Sequence, residues 1–181
     1  MKMASNYSPA VLLTTLLLLL QVFQFCRAET GRVHLAGNSP VKGVLNFTEC
    51  SGMLRIFGTI TGLTPGKHGF HVHEFGDVFT NGCDSTGKHF NPTNVFHGAK
   101  EDDATRRHAG DLGNVVADSS GVASVDMMDN MIALSGTNSI LGRSIVVHAN
   151  EDDLGRQDNE GSRTTGNSGP RIACGIIFVV A

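Results

Sequence analysis

The chain has no tryptophan, and its single tyrosine is Tyr7. That leaves few aromatic platforms on which nucleobases could stack. Charged residues are only 17% of the 181, the net charge is −3, and no block of basic residues occurs. An electrostatic footprint for nucleic acid is therefore missing. Neither a Gly-x-Ser-x-Gly elbow nor a phosphate-loop pattern is present, which sets aside hydrolase and nucleotide-binding readings. Cysteine is scarce, with four residues, while histidine numbers eight and glycine 22. Many glycines imply many turns, and many histidines point to metal.

One long apolar run exists, Val11 to Phe25, with Leu16 to Leu20 unbroken. Fifteen residues fall short of the roughly 20 that a helix needs to span a bilayer. Lys2 precedes the run, and Cys26-Arg27-Ala28 follows it with a small residue at the cleavage position. Residues 1–28 read as a secretory signal peptide and residues 29–181 as one domain. Removal of Lys2 and Arg27 with the leader leaves 12 basic against 17 acidic side chains, a net charge of −5. Three cysteines remain, Cys50, Cys83 and Cys174, enough for one disulfide and one spare thiol in an oxidising compartment. Asn46-Phe47-Thr48 is a glycosylation sequon.

Past the leader, no strong helical period appears. Short alternating runs recur instead: Val33 and Leu35, Val44 to Phe47, residues 53–61 with Leu54, Ile56 and Ile60 on one side, Gly69 to Glu74, Leu112 to Ala117, Gly121 to Met128, Ser144 to His148 and Ile176 to Val180. About eight strands separated by glycine-rich turns predict an all-β antiparallel sandwich or barrel. Residues 75–111 and 149–171 carry no convincing strand. Loops of that length in a compact domain are usually functional or disordered.

The histidines gather around those loops. In Gly69-Phe70-His71-Val72-His73-Glu74, alternation sends Phe70 and Val72 to the core and His71 with His73 to the other face. His89, His97, His108 and Asp111 follow in the first long loop, and His148 closes the run Ile145-Val146-Val147-His148. Six imidazoles and a carboxylate exceed what one tetrahedral ion needs. All-imidazole ligation suits copper, and imidazole with carboxylate suits zinc. Two adjacent sites are expected, one redox-active and one structural, with the partition left open by spacing. His34 and His68 stand apart, His34 as a solvent-facing strand residue and His68 as a structural one.

The segments Gly69 to Asp77, His89-Phe90-Asn91-Pro92, Gly110-Asp111-Leu112-Gly113-Asn114 and Gly166 to Arg171, in this order, resemble the copper–zinc superoxide dismutases. The resemblance implies an eight-stranded Greek-key β-barrel with two long functional loops. It also implies one copper and one zinc per chain, and superoxide as the small-anion substrate. Copper would be held by His71, His73, His89 and His148, and zinc by His89, His97, His108 and Asp111, with His89 bridging. Asp152 would orient one histidine of each set, Cys83 and Cys174 would form the disulfide, and Arg171 would stand at the mouth of the copper site. In the family picture His89 leaves copper on reduction, gains a proton and delivers it to the product.

The loop bearing Arg171 departs from the family pattern. Glu160-Gly161 replaces a glutamate pair and Thr164 replaces a lysine, with Arg163 beside it expected to compensate. The stretch between His97 and His108 is about two residues longer than usual, with Lys100 in place of a common proline, which is expected to soften zinc affinity. Phe75, Gly142, Ile176 and Ile177 occupy places through which family members pair, so a homodimer is expected. The chain stops at Phe178-Val179-Val180-Ala181 without the basic tail of heparin-binding members. The implied protein is secreted, freely diffusing and without nucleic-acid or membrane partners. The rival is a domain of this fold that binds or delivers copper without turnover.

Overall fold

The computed structural model describes residues 29–180, apart from the Cys50 side chain. The signal-peptide reading of 1–28 and the spare thiol at Cys50 therefore fall outside the described residues. Among those residues no helix is long and apolar enough to cross a membrane.

Among the described residues nine strands form, β1 Glu29–Leu35, β2 Lys42–Cys50, β3 Met53–Thr61, β4 Gly66–His73, β5 Asp111–Ala117, β6 Ala123–Asp129, β7 Ser144–His148, β8 Arg171–Ile176 and β9 Phe178–Val179. One sheet runs β6-β3-β2-β1-β9, the other β5-β4-β7-β8, and every strand pairing is antiparallel. Ser51 and Gly52, both at positive φ, close the β2–β3 hairpin, as a two-residue turn matching strand twist requires. The chain then crosses to the second sheet for β4 and β5. It returns to set β6 beside β3 and crosses once more to set β7 beside β4. These two returns are the Greek-key connections.

The alternating residues meet between the sheets. Leu45 and Phe47 of β2, Leu54, Ile56 and Ile60 of β3, Phe70 and Val72 of β4, and Ile145 and Val147 of β7 are all fully buried in one cluster. Ile177 joins them at 0% exposure. This corrects the expectation that Ile177 lies on a partner-facing surface. It also breaks the anticipated run 176–180 in two: β8 pairs with β7, Ile177 turns into the core, and β9 pairs with β1. The other residues expected to face a partner differ, since Phe75 and Gly142 are exposed and Ile176 is partly covered.

The two long loops are ordered by polar contacts rather than by regular structure. The first holds a 3-10 turn, Asp84–Thr86, and is fastened to β8 by the Cys83–Cys174 disulfide. The second contains a short helix, α1 Glu160–Thr165, that the sequence pattern did not announce. Asn159 caps it by accepting from the Ser162 N–H, and Gly166 ends it at φ 65°. Loop holds loop: His97 N donates to Arg163 O at 2.8 Å, and Arg156 reaches Asp102 at 3.0 Å. Beneath them Arg107 and Asp129 form a buried ion pair at 2.7 Å, tying the first loop to the end of β6.

Candidate metal centre

β4 supplies two imidazoles on a rigid strand, and both are buried, His71 at 0% and His73 at 1% exposure. β7 ends in His148 beside them. His89 enters from the first loop, where an antiparallel bridge pairs it with His73. Further along the same loop come His97 and His108, and Asp111 opens β5. Donor atoms of His71, His73, His89 and His148 all lie within 4.8 Å of one another. The same holds for His89, His97, His108 and Asp111. His89 belongs to both groups, so the fold brings together all seven expected residues in two sets that share one ring.

Each ring is oriented by what holds its far nitrogen. His73 Nδ1 lies 3.0 Å from Gly87 O, and His148 Nδ1 lies 3.0 Å from Gly169 O. Carbonyls only accept, so both rings carry their proton there and turn a bare Nε2 inward, 3.4 Å apart. His71 is turned the other way, with Nε2 at 2.8 Å from Asp152 Oδ2. Its Nδ1 is buried without a hydrogen-bond partner, and so is His89 Nε2. A buried nitrogen left unpaired costs about 1–3 kcal/mol, and two of them aim into one imidazole cluster. A cation accepting those lone pairs satisfies both, so the residues fit a bound metal.

The second group has its own signature. Asp111 Oδ1 lies 2.8 Å from His89 Nδ1, 3.0 Å from His97 Nδ1 and 3.1 Å from His108 Nδ1. Three imidazole nitrogens crowd one carboxylate oxygen, a donor set of the kind zinc takes. Asp111 Oδ2 accepts from the Gly98 and His108 backbone N–H groups, which fixes the carboxylate. Asp152 spans the two groups, its Oδ1 at 2.8 Å from His97 Nε2. Asp152 is itself clamped by Asn114, through paired bonds of 2.8 and 2.9 Å.

The electrostatics follow from burial and these contacts. Burial pushes His71, His73 and His89 below the ordinary imidazole value, and His148 down to about 4. His97 is also disfavoured by burial, but hydrogen bonds and charge from Asp111 and Asp152 outweigh it and lift the ring to about 9. The cluster thus presents mainly neutral imidazoles, the form that ligates.

Arg171 begins β8 at the mouth of a cleft lined also by His73, His89 and His148. Its Nη1 donates to Cys83 O at 2.9 Å and Thr86 Oγ1 at 3.0 Å, and its Nη2 to Gly87 O at 2.6 Å. The guanidinium is thereby mounted on the disulfide loop, sharing the Gly87 carbonyl with His73. Arg163 lines the same cleft, yet it forms an ion pair with Asp158. Compensation for Thr164 by Arg163 is reduced accordingly. Among the remaining histidines, His68 is buried, 2.9 Å from His148 O and 2.8 Å from Thr64 O, while exposed His34 stacks on Phe178. Asn46 points away from the core residues Leu45 and Phe47 and accepts from Arg32 Nε at 2.9 Å.

Sequence reasoning missed Lys88, a cleft-lining cation beside His89. It lies in a stretch with no periodicity, and only its adjacency to His89 could have drawn notice.

The family model described as copper/zinc superoxide dismutase matches residues 41–177. The chain is also 61% identical, over 146 residues, to the Cu-Zn superoxide dismutase 2 of Mesembryanthemum crystallinum. That match covers 80% of this chain and 92% of the relative.

Proposed function

The chain belongs to the copper/zinc superoxide dismutase family, and from that premise we propose that it is the secreted, dimeric form of the enzyme. It is an oxidoreductase using copper and zinc, and its substrate is superoxide. The observation that carries the site assignment is the pair of orphaned nitrogens, His71 Nδ1 and His89 Nε2, facing a cluster of correctly turned imidazoles. On this reading His71, His73, His89 and His148 hold copper, and His89, His97, His108 and Asp111 hold zinc. Copper supplies the one-electron couple that oxidises one superoxide to dioxygen and reduces the next toward peroxide, while zinc stays redox-inert.

The protein's own groups do the rest. Arg171 binds and orients the anion at the cleft mouth, and its carbonyl anchors keep the guanidinium from swinging away. His89 Nε2 is the atom that holds a proton for the reduced anion, in a ring whose burial disfavours keeping it. Asp152 keeps His71 and His97 in the tautomers that leave their ligating nitrogens free. The apolar run 11–25 supports secretion, exposed Phe75 beside partly covered Ile176 supports a homodimer, and the outward Asn46 supports glycosylation.

The test is superoxide decay by the metal-loaded protein. Copper-dependent decay that falls when Arg171 is replaced by glutamine establishes the reaction and the role of the cation. Normal metal content without catalysed decay would leave a copper-binding or copper-delivering module. Particle mass in solution reports the dimer, and secretion from cells expressing the full chain reports the leader.

A further inference from the structure

Residues 29–181 carry five more acidic than basic side chains, so the protein as a whole repels a small anion. Local charge at the cleft must reverse that field, because focusing within a cleft decides how often an anion arrives. Five charged side chains line the cleft: Glu74, Lys88, Glu160, Arg163 and Arg171. The cations are not equally free. Arg171 is committed to four acceptors in the disulfide loop, Cys83 O, Asp84 O, Thr86 Oγ1 and Gly87 O, and serves as a fixed receptor. Arg163 is held by Asp158.

Lys88 differs from both. Its backbone is locked to Glu74, with Lys88 N donating to Glu74 Oε2 at 3.1 Å and Lys88 O accepting from Glu74 N at 2.9 Å. The side chain is exposed, and among the described residues its ammonium makes no ion pair or hydrogen bond. A flexible, fully available cation therefore springs from a rigid root next to His89. Among the five lining charges Arg163 and Arg171 balance Glu74 and Glu160, so Lys88 takes the rim from neutral to one net positive charge.

We propose that Lys88 is the steering cation of the cleft, drawing superoxide inward to Arg171. The inference rests on the dismutase reading above and adds a residue to it. One unit charge near a water-filled rim changes an anion's local concentration by about twofold at low salt, and a charge reversal by about fourfold.

The experiment compares kcat/KM across ionic strength for the holoprotein and for Lys88→Gln, Lys88→Glu, Lys88→Arg and Arg163→Gln. Azide binding, followed by the visible absorption of copper, is measured on the same preparations. Lys88→Gln is expected to lower both the rate and azide affinity about twofold at low salt, Lys88→Glu about fourfold, and Arg163→Gln less than either. The differences should vanish at high salt, and Lys88→Arg should restore wild-type values. Equal salt profiles for wild type and Lys88→Gln, at equal copper content, overturn the proposal. So does a loss in Lys88→Gln that persists at high salt, since that marks damage rather than steering. Absence of dismutation in the wild type would instead fail the functional reading, and the azide measurement would still decide the role of Lys88.

Discussion

Breaking the Cys83–Cys174 disulfide should cost this protein far more than one contact. The bond joins residues 91 positions apart, across most of the described chain. In the chain-entropy account, releasing a loop of that length returns about 4–5 kcal/mol of freedom to the unfolded ensemble. For a domain of this size that corresponds to a fall in melting temperature of roughly 10–18 °C. The native state loses something besides, because Arg171 Nη1 is anchored on Cys83 O. Mild reduction, or the double variant Cys83→Ser with Cys174→Ser, is compared with the oxidised protein by calorimetry in the metal-free state at one protein concentration. Superoxide decay and copper content are then measured after metal loading. Activity per bound copper should fall as well, because the cation that receives the anion has lost its mounting. A melting shift of only two or three degrees, with activity per copper unchanged, would refute both halves of the reasoning.

Other perturbations probe the rest of the site. In Gly166→Ala the new methyl would fall on Asp152 Oδ1 and 2.6 Å from His97 Nε2, at a backbone φ of 65°. Zinc affinity, read by chelator competition, should drop about 10–100-fold as that outer carboxylate is displaced. Loading the metal-free protein at pH 7 should release about one proton from His97, which sits near 9, and almost none from His148, near 4. Calorimetry in two buffers of different ionisation enthalpy counts those protons, and the His97 proton should be missing when loading is done well above pH 9. In the metal-free fold the raised His97 stabilises fully below pH 6.5, and this is lost as pH rises through 9. The depressed His148 withdraws stability as pH falls from 6.5 through 4. The contribution of these two rings to stability should therefore peak near pH 6.5, as denaturant titrations across that range would show. Finally, Arg107→Leu strands Asp129 as a buried charge, and breaking such a pair costs about 3–5 kcal/mol by denaturant unfolding.

The strands were legible because their two-residue alternation is a direct image of burial: Leu54, Ile56 and Ile60 face inward as their spacing says. The end of the chain misled for the same reason. Ile176 to Val180 is apolar throughout, so alternation carries no signal there, and only tertiary pairing reveals that Ile177 turns inward between two sheets. α1 escaped notice because a capped six-residue helix is set by Asn159 and Gly166 rather than by an apolar stripe. The seven clustered residues were readable since chemistry restricts their types, and the family resemblance divided them as the two groups stand. Their orientation was not readable. Which nitrogen of each ring faces inward depends on Gly87, Gly169 and Asp152, whose proximity is a product of folding. Neighbour relations across the cleft were hidden likewise, so the ion pair of Arg163 and the freedom of Lys88 emerged only in three dimensions.

On the proposed assignment, the ring of His89 shared by both groups would make them one thermodynamic unit. A cation settling against His89 Nδ1 withdraws electron density from Nε2, and a cation or proton at Nε2 does the same to Nδ1. Occupancy at either position therefore resets the affinity of the other, by equal factors in both directions. With both ions held as proposed, scarcity of one would be registered at the site of its neighbour, and the pair would answer to the ratio of two metals as well as to the supply of each.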